Sequence, residues 1–104
     1  MQDAEFHALV DTLFNSVEDE LDAQELDLDI DSAGGILTIE FPNGTSVIVS
    51  RQIAGHQVWI AARSGGFHLS HENGWLCKVT AEDFASLLSR VMTEQLGEKV
   101  KITA

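Results

Sequence analysis

The densest chemistry in this chain lies between Val17 and Asp31, VEDELDAQELDLDID, where eight of fifteen residues are Asp or Glu and none is Lys or Arg. Carboxylates are hard oxygen donors, so such a stretch can hold hard cations. It can equally meet a basic protein surface, or do no more than keep the chain solvated. Widening the window to residues 1–31 brings the acids to eleven, and the first base is Arg51. From residue 32 onward six acids meet six bases, so the whole net charge of −11 sits in the first third. Like charge concentrated in this way destabilises a compact fold, which favours a use for it.

Two elements must position these acids. Residues 3–23 place Phe6, Leu9, Val10, Leu13, Phe14, Val17 and Leu21 at the spacing of one apolar helical face. At about 100° per residue, His7, Asp11, Glu18 and Asp22 fall within roughly 60° of one another at the edge of that face. Asp19 lies further round toward solvent. Glu18 and Asp22 form an i,i+4 like-charge pair, unfavourable by about 0.2–0.5 kcal/mol, and acids near a helix C-terminus oppose the helix dipole. Leu26–Asp31 then alternates strictly, the pattern of a half-buried strand whose Asp27, Asp29 and Asp31 face water. Its aspartates would extend the acidic edge of the helix. Such a ridge is convex and cannot enclose an ion, so affinity should be modest and selectivity poor. Imidazole suits iron among other metals, and His7 beside Asp11 could add a nitrogen. Metal, basic partner and plain solvation all stay open on this pattern.

The remainder reads as a meander followed by a helix. Ser32–Gly35 is a turn; Ile36–Phe41 and Thr45–Ser50 flank Pro42-Asn43-Gly44, a strong hairpin signal. Arg51–Gly55 connects to His56–Ala62, Ser64-Gly65-Gly66 turns into Phe67–Ser70, and Asn73-Gly74 turns into Trp75–Val79. Thr80 is the expected N-cap of a helix carrying Phe84, Leu87, Leu88, Val91 and Met92 and closed by Gly97. Val100 and Ile102 in the tail could pack back. The order predicts an α+β two-layer sandwich, two helices on one face of an antiparallel sheet of about six strands, in one domain over residues 1–104. Trp59 then falls on the open face of that sheet with Gln57. There it is either an exposed interface residue or partly covered by neighbours such as Arg51 or His68. Trp75 reads as core or rim.

Several function classes drop out. A chain of 104 residues with 44% hydrophobic composition can bury one core. The pI near 4.4 disfavours nucleic acid and anionic membrane, and no apolar run nears the ~20 residues of a membrane span. There is no signal-peptide pattern, and Cys77 is alone, which fits a reducing, cytoplasmic setting. Cys77 reads as a small buried hydrophobe, and His56, His68 and His71 lack ligand spacing. HExxH, GxSxG, P-loop and GxGxxG patterns are absent, so no catalytic residue is assigned and the chain is not expected to be an enzyme.

Gly34-Gly35-Ile36-Leu37-Thr38-Ile39-Glu40-Phe41, Asn43-Gly44, Arg51-Gln52, Gln57-Val58-Trp59-Ile60-Ala61 and Gly65-Gly66-Phe67-His68 resemble the frataxin signature. The likeness runs essentially end to end and takes in Asp3-x-Glu5-Phe6-His7, Leu21-Asp22 and Asp29-Ile30-Asp31. It implies the sandwich inferred above and binding of ferrous and ferric iron on the acidic ridge, weakly and exchangeably, with other divalent cations able to substitute. It implies a regulatory role in iron–sulfur cluster assembly, with the cysteine desulfurase and the scaffold protein as partners, iron donation as a further role, and a monomer with an iron-induced oligomer as the alternative. Carried over residue by residue, the metal positions are His7, Asp11, Glu18, Asp19, Asp22, Asp29 and Asp31. The partner positions are Glu18, Asp19, Asp22, Gln52, Gln57 and Trp59. The chain departs from many members of the family at Ser50 and Ala54, where Asn and Pro are usual. It also carries Glu20 and Glu25 as extra acids and lacks one at Ala23.

Overall fold

Short turns send each strand back beside the one before it. In the computed structural model, which describes residues 1–104, they give a seven-stranded antiparallel meander in sequence order. Helix α1 (Asp3–Gln24) is followed by β1 (Asp29–Ala33), β2 (Ile36–Glu40) and β3 (Ser46–Gln52). A 3-10 turn (Ile53–Gly55) leads to β4 (Gln57–Ala62), β5 (Gly65–His71), β6 (Trp75–Cys77), β7 (Glu82–Asp83) and α2 (Phe84–Leu96). This is the expected α+β sandwich, with seven strands in place of about six.

Alternation decides which face the helices cover. Leu37, Ile39, Val47, Val49, Val58, Ile60 and Leu69 are buried from one side of the sheet, in one cluster with Phe6, Val10, Leu13, Phe14, Val17 and Leu21 of α1. Phe84, Leu87, Leu88, Val91 and Met92 of α2 complete it, and Val100 and Ile102 of the tail pack in. Gln95 is the one buried polar residue. Its amide accepts from the Arg63 backbone N–H and donates to Thr45 Oγ1 and the Ser46 carbonyl, so no polar group there is left without a partner.

Several boundaries differ from expectation: β3 runs on through Arg51 and Gln52, β5 takes in Gly65 and Gly66, and β6 stops at Cys77. Three further differences have a local reason. Strand pairing begins at Asp29, not Leu26, because β2 ends at Glu40 and Asp29 is its last partner. Leu26, Leu28 and Ile30 still pack half-buried on the core. The turn after β1 is tighter than Ser32–Gly35: Ala33 pairs with Ile36, leaving Gly34 and Gly35 at φ 61° and 79°, a two-residue hairpin that glycine tolerates without strain. Helix α2 starts on Asp83, not Thr80. The chain doubles back at Ala81 (φ 61°) so that Glu82 and Asp83 pair with Cys77 and Leu76 as β7. Two hydrogen bonds that Arg90 donates to the Glu82 carboxylate, at 2.8 and 2.9 Å, hold that turn outside the helix.

Candidate functional site

Helix α1 lies along the sheet with its apolar stripe down, which leaves its acids on the rim. At the N-terminal end of the rim His7 and Asp11 are not free. Arg51, from the covered face of β3, donates from Nη1 to His7 Nδ1 at 2.9 Å and from Nη2 to Asp11 Oδ1 at 2.6 Å. Its side chain is only 17% exposed, and the guanidinium sits 5.5 Å above the Phe14 ring. Further along, Asp19 and Asp22 are exposed and Glu18 half-buried, and none of the three has a cationic partner. Glu20 turns instead to Thr103, accepting from its backbone N–H and hydroxyl at 2.8 Å.

The expected continuation of this rim into β1 is split by the pleat. Ile30 and Ser32 face α1 and line a shallow groove with Glu18 and Asp22. Asp29 and Asp31 point the other way, opposite Glu40 and Thr38, toward the open side of the sheet. Asp29 opposite Glu40 is a like-charge cross-strand pair, which is unfavourable. The seven metal candidates therefore fall into three groups: His7 with Asp11, Glu18 with Asp19 and Asp22, and Asp29 with Asp31. Nowhere do three His, Cys, Asp or Glu side chains converge as a metal-binding cluster. The donor set suits a hard cation, and it suits one held on a surface, with water filling most of its coordination positions.

The open face of the sheet carries Trp59, 37% exposed. Its indole stacks on His68 with centroids 4.2 Å apart and donates to Gln57 Oε1 at 2.9 Å. Arg51 does not cover it, because Arg51 lies on the opposite face. Gln52 and Gln57 face one another across β3 and β4, and Ser50 is opposite Trp59. Exposed Ile36 and Ile48 extend the patch. Trp75 and Cys77 are buried. His56 pairs with Asp3 at 2.7 Å, and His71 lies edge-on to Trp75.

A frataxin-like domain model matches residues 1–98. The chain belongs to the frataxin family. Relatives named iron-sulfur cluster assembly protein CyaY are 46% identical in Stutzerimonas stutzeri and 45% in Pseudomonas aeruginosa. Each match covers 97% of this chain and at least 94% of the relative. The CyaY of Azotobacter vinelandii is 39% identical over the same share. Among solved structures, a frataxin from Psychromonas ingrahamii superposes with a TM-score of 0.93 over the full length of both chains at 35% identity. On this frataxin fold Arg51 is the residue that sequence reasoning passed over. A signal for it exists: Val47, Val49 and Arg51 alternate onto the covered face, and a charge there demands a partner. The carboxyls with clearly shifted acidity lie at β7, the far edge of the sheet from β1. There Arg90's hydrogen bonds hold Glu82 below the usual carboxylate range, and the Ser86 amide does the same for Asp83.

Proposed function

We propose that residues 1–104 act as one frataxin-like domain in iron–sulfur cluster assembly, binding ferrous or ferric iron on the α1–β1 rim and the cysteine desulfurase through the same acids. The observation that carries this is the set of carboxylates left without a cation: Glu18, Asp19 and Asp22 toward the C-terminal end of α1, where the dipole disfavours acids, and Asp29 and Asp31 on β1. Local stability does not explain their placement, whereas attraction to a cation or a basic surface does. His7 and Asp11 join the metal set only where Arg51 gives way. The Trp59 face, with Gln52 and Gln57, supplies the uncharged contacts, to the desulfurase or the scaffold protein, since an aromatic partly desolvated by a stacked neighbour is a good interface anchor. The domain regulates cluster formation and carries no catalytic group of its own; donation of the bound iron is an added role in this reading.

The second reading, a protein-interaction module on which metal is incidental, is favoured by the lack of any converging ligand trio. An anaerobic ferrous titration followed by amide NMR separates the two. Broadening confined to the rim, with Trp59 untouched, supports iron binding; no localised response at millimolar iron favours the second. In either case Glu18→Lys with Asp22→Lys should weaken desulfurase binding on the order of tenfold or more, measured by calorimetry at fixed salt. Unchanged affinity would remove the rim from the contact.

A further inference from the structure

Arg51 does more than neutralise one end of the rim. A guanidinium has donors only, so in the 2.9 Å bond between Arg51 Nη1 and His7 Nδ1 the imidazole must accept. The neutral ring therefore carries its proton on Nε2. A metal binds imidazole through a lone pair, and the nitrogen facing away from Arg51 has none to offer. Asp11 is engaged by the same guanidinium, which offsets its charge. Displacing Arg51 is opposed by its surroundings. The side chain is largely buried, its Nε already lacks a partner, and withdrawal would break its bonds to the part-buried His7 and to Asp11. Gly35 leaves room for it: a Cβ there would lie 3.2 Å from the Arg51 Cγ, Cδ and Nε atoms, and the Arg51 backbone N–H donates to the Gly35 carbonyl.

We propose that Arg51 sets the order in which the rim takes up cations, filling the Glu18–Asp31 end first and admitting metal to His7 and Asp11 only after its own guanidinium has left. This rests on the metal-binding reading above and names the residue that regulates it. The specificity comes from a hydrogen bond that fixes a tautomer, together with a resident positive charge.

The test uses the full chain with ferrous iron under anaerobic conditions. Long-range proton–nitrogen spectra of His7 report the tautomer before any metal is added, and amide broadening reports the order of filling. In the wild-type chain Nε2 should carry the proton, and the residues around His7 and Asp11 should need on the order of tenfold more iron than those around Glu18, Asp22, Asp29 and Asp31. Arg51→Met, which keeps an apolar stem over Phe14 and removes donors and charge, should close that gap and let the His7 ring nitrogens respond to iron. An Nδ1–H tautomer in the wild-type chain overturns the proposal, as does simultaneous broadening of both ends or a gap that Arg51→Met leaves intact. The two wild-type measurements decide the matter even where Arg51→Met does not fold. Silence of every rim amide takes down the metal reading and this inference with it; a response in the wrong order sinks this inference alone.

Discussion

Helix α2 begins on Asp83, whose side chain accepts from the Ser86 amide at 2.8 Å, and ends on Gly97 at φ 79°. Helix α1 begins on Gln2 with no side-chain cap and ends on Glu25, forced into the left-handed region at φ 51°. Asp22 and Glu25 crowd the end of α1, with no base in its last turn. Both helices bury a full apolar stripe in the same core. The contrast lies in the parts that packing does not decide. Neither helix has a base in its last turn, and α1 starts favourably with Asp3 and Glu5; the caps follow local stability in α2 and run against it at the acidic end of α1, on the side of the molecule where the unpartnered carboxylates lie. Marginal stability makes such concessions affordable only where the core carries the helix.

Attacking the core should erase the contrast, and it carries the largest effects. Phe6→Ala in α1 should cost about 3–5 kcal/mol and Leu88→Ala in α2 about 2–5 kcal/mol, since both side chains are fully buried. Urea unfolding checks this. A much smaller loss for Phe6→Ala would mean that α1 is only loosely docked. Attacking the ends should sharpen the contrast. Asp83→Ala should cost about 0.5–2 kcal/mol through the lost cap, while Glu25→Gly should stabilise by about 1 kcal/mol by relieving left-handed strain at a non-glycine residue.

The α2 cap also has a pH signature. Asp83 and Glu82 are held below their ordinary values, Asp83 first by the Ser86 amide and Glu82 first by Arg90. A carboxyl depressed in the folded state contributes stability that is present above its unfolded value, near pH 4. That contribution is lost as pH falls through the lower folded value. Asp83→Asn keeps a capping oxygen and cannot titrate, so its melting temperature should fall less steeply than the wild type's below about pH 4. Parallel acid profiles would show that the cap does not sense protonation.

Much of this was legible because side-chain period follows backbone geometry. The 3–4 spacing from Phe6 to Leu21 and the alternation through Leu37, Val49 and Ile60 fixed both helices, the covered face and the open position of Trp59. Gly34-Gly35 and Asn43-Gly44 marked turns, whereas Gly65 and Gly66 pair with Ala62 and Ala61 inside β5 and leave the turn to Arg63 and Ser64. Less was legible where two local signals competed. Thr80 and Asp83 both look like caps, and only the pairing of Glu82 with Cys77 and its bonds to Arg90 decide for Asp83. The rim was legible as composition but not as geometry. Asp29 and Asp31 are only a few residues past Asp22, yet the pleat turns them toward Glu40 and the open side. Arg51 reaches Asp11 across forty positions of sequence, a contact set by how α1 crosses β3 and by no local pattern.

The smallest effect tests the contrast most directly. If the acids at the end of α1 oppose the fold, Glu18→Gln with Asp22→Asn should stabilise the chain by about 0.3–1 kcal/mol at low ionic strength, combining relief of the i,i+4 repulsion with relief of the dipole clash. Both changes keep side-chain size, and neither residue has a salt-bridge partner to lose. The gain should shrink as salt is added, because screening gives the wild type the same relief. The salt-induced rise in melting temperature should therefore be smaller in the double variant than in the wild type. A double variant no more stable at low salt, with the salt response intact, would mean that the strain lies among the other acids of residues 1–31, with Asp29 opposite Glu40 the next pair to neutralise.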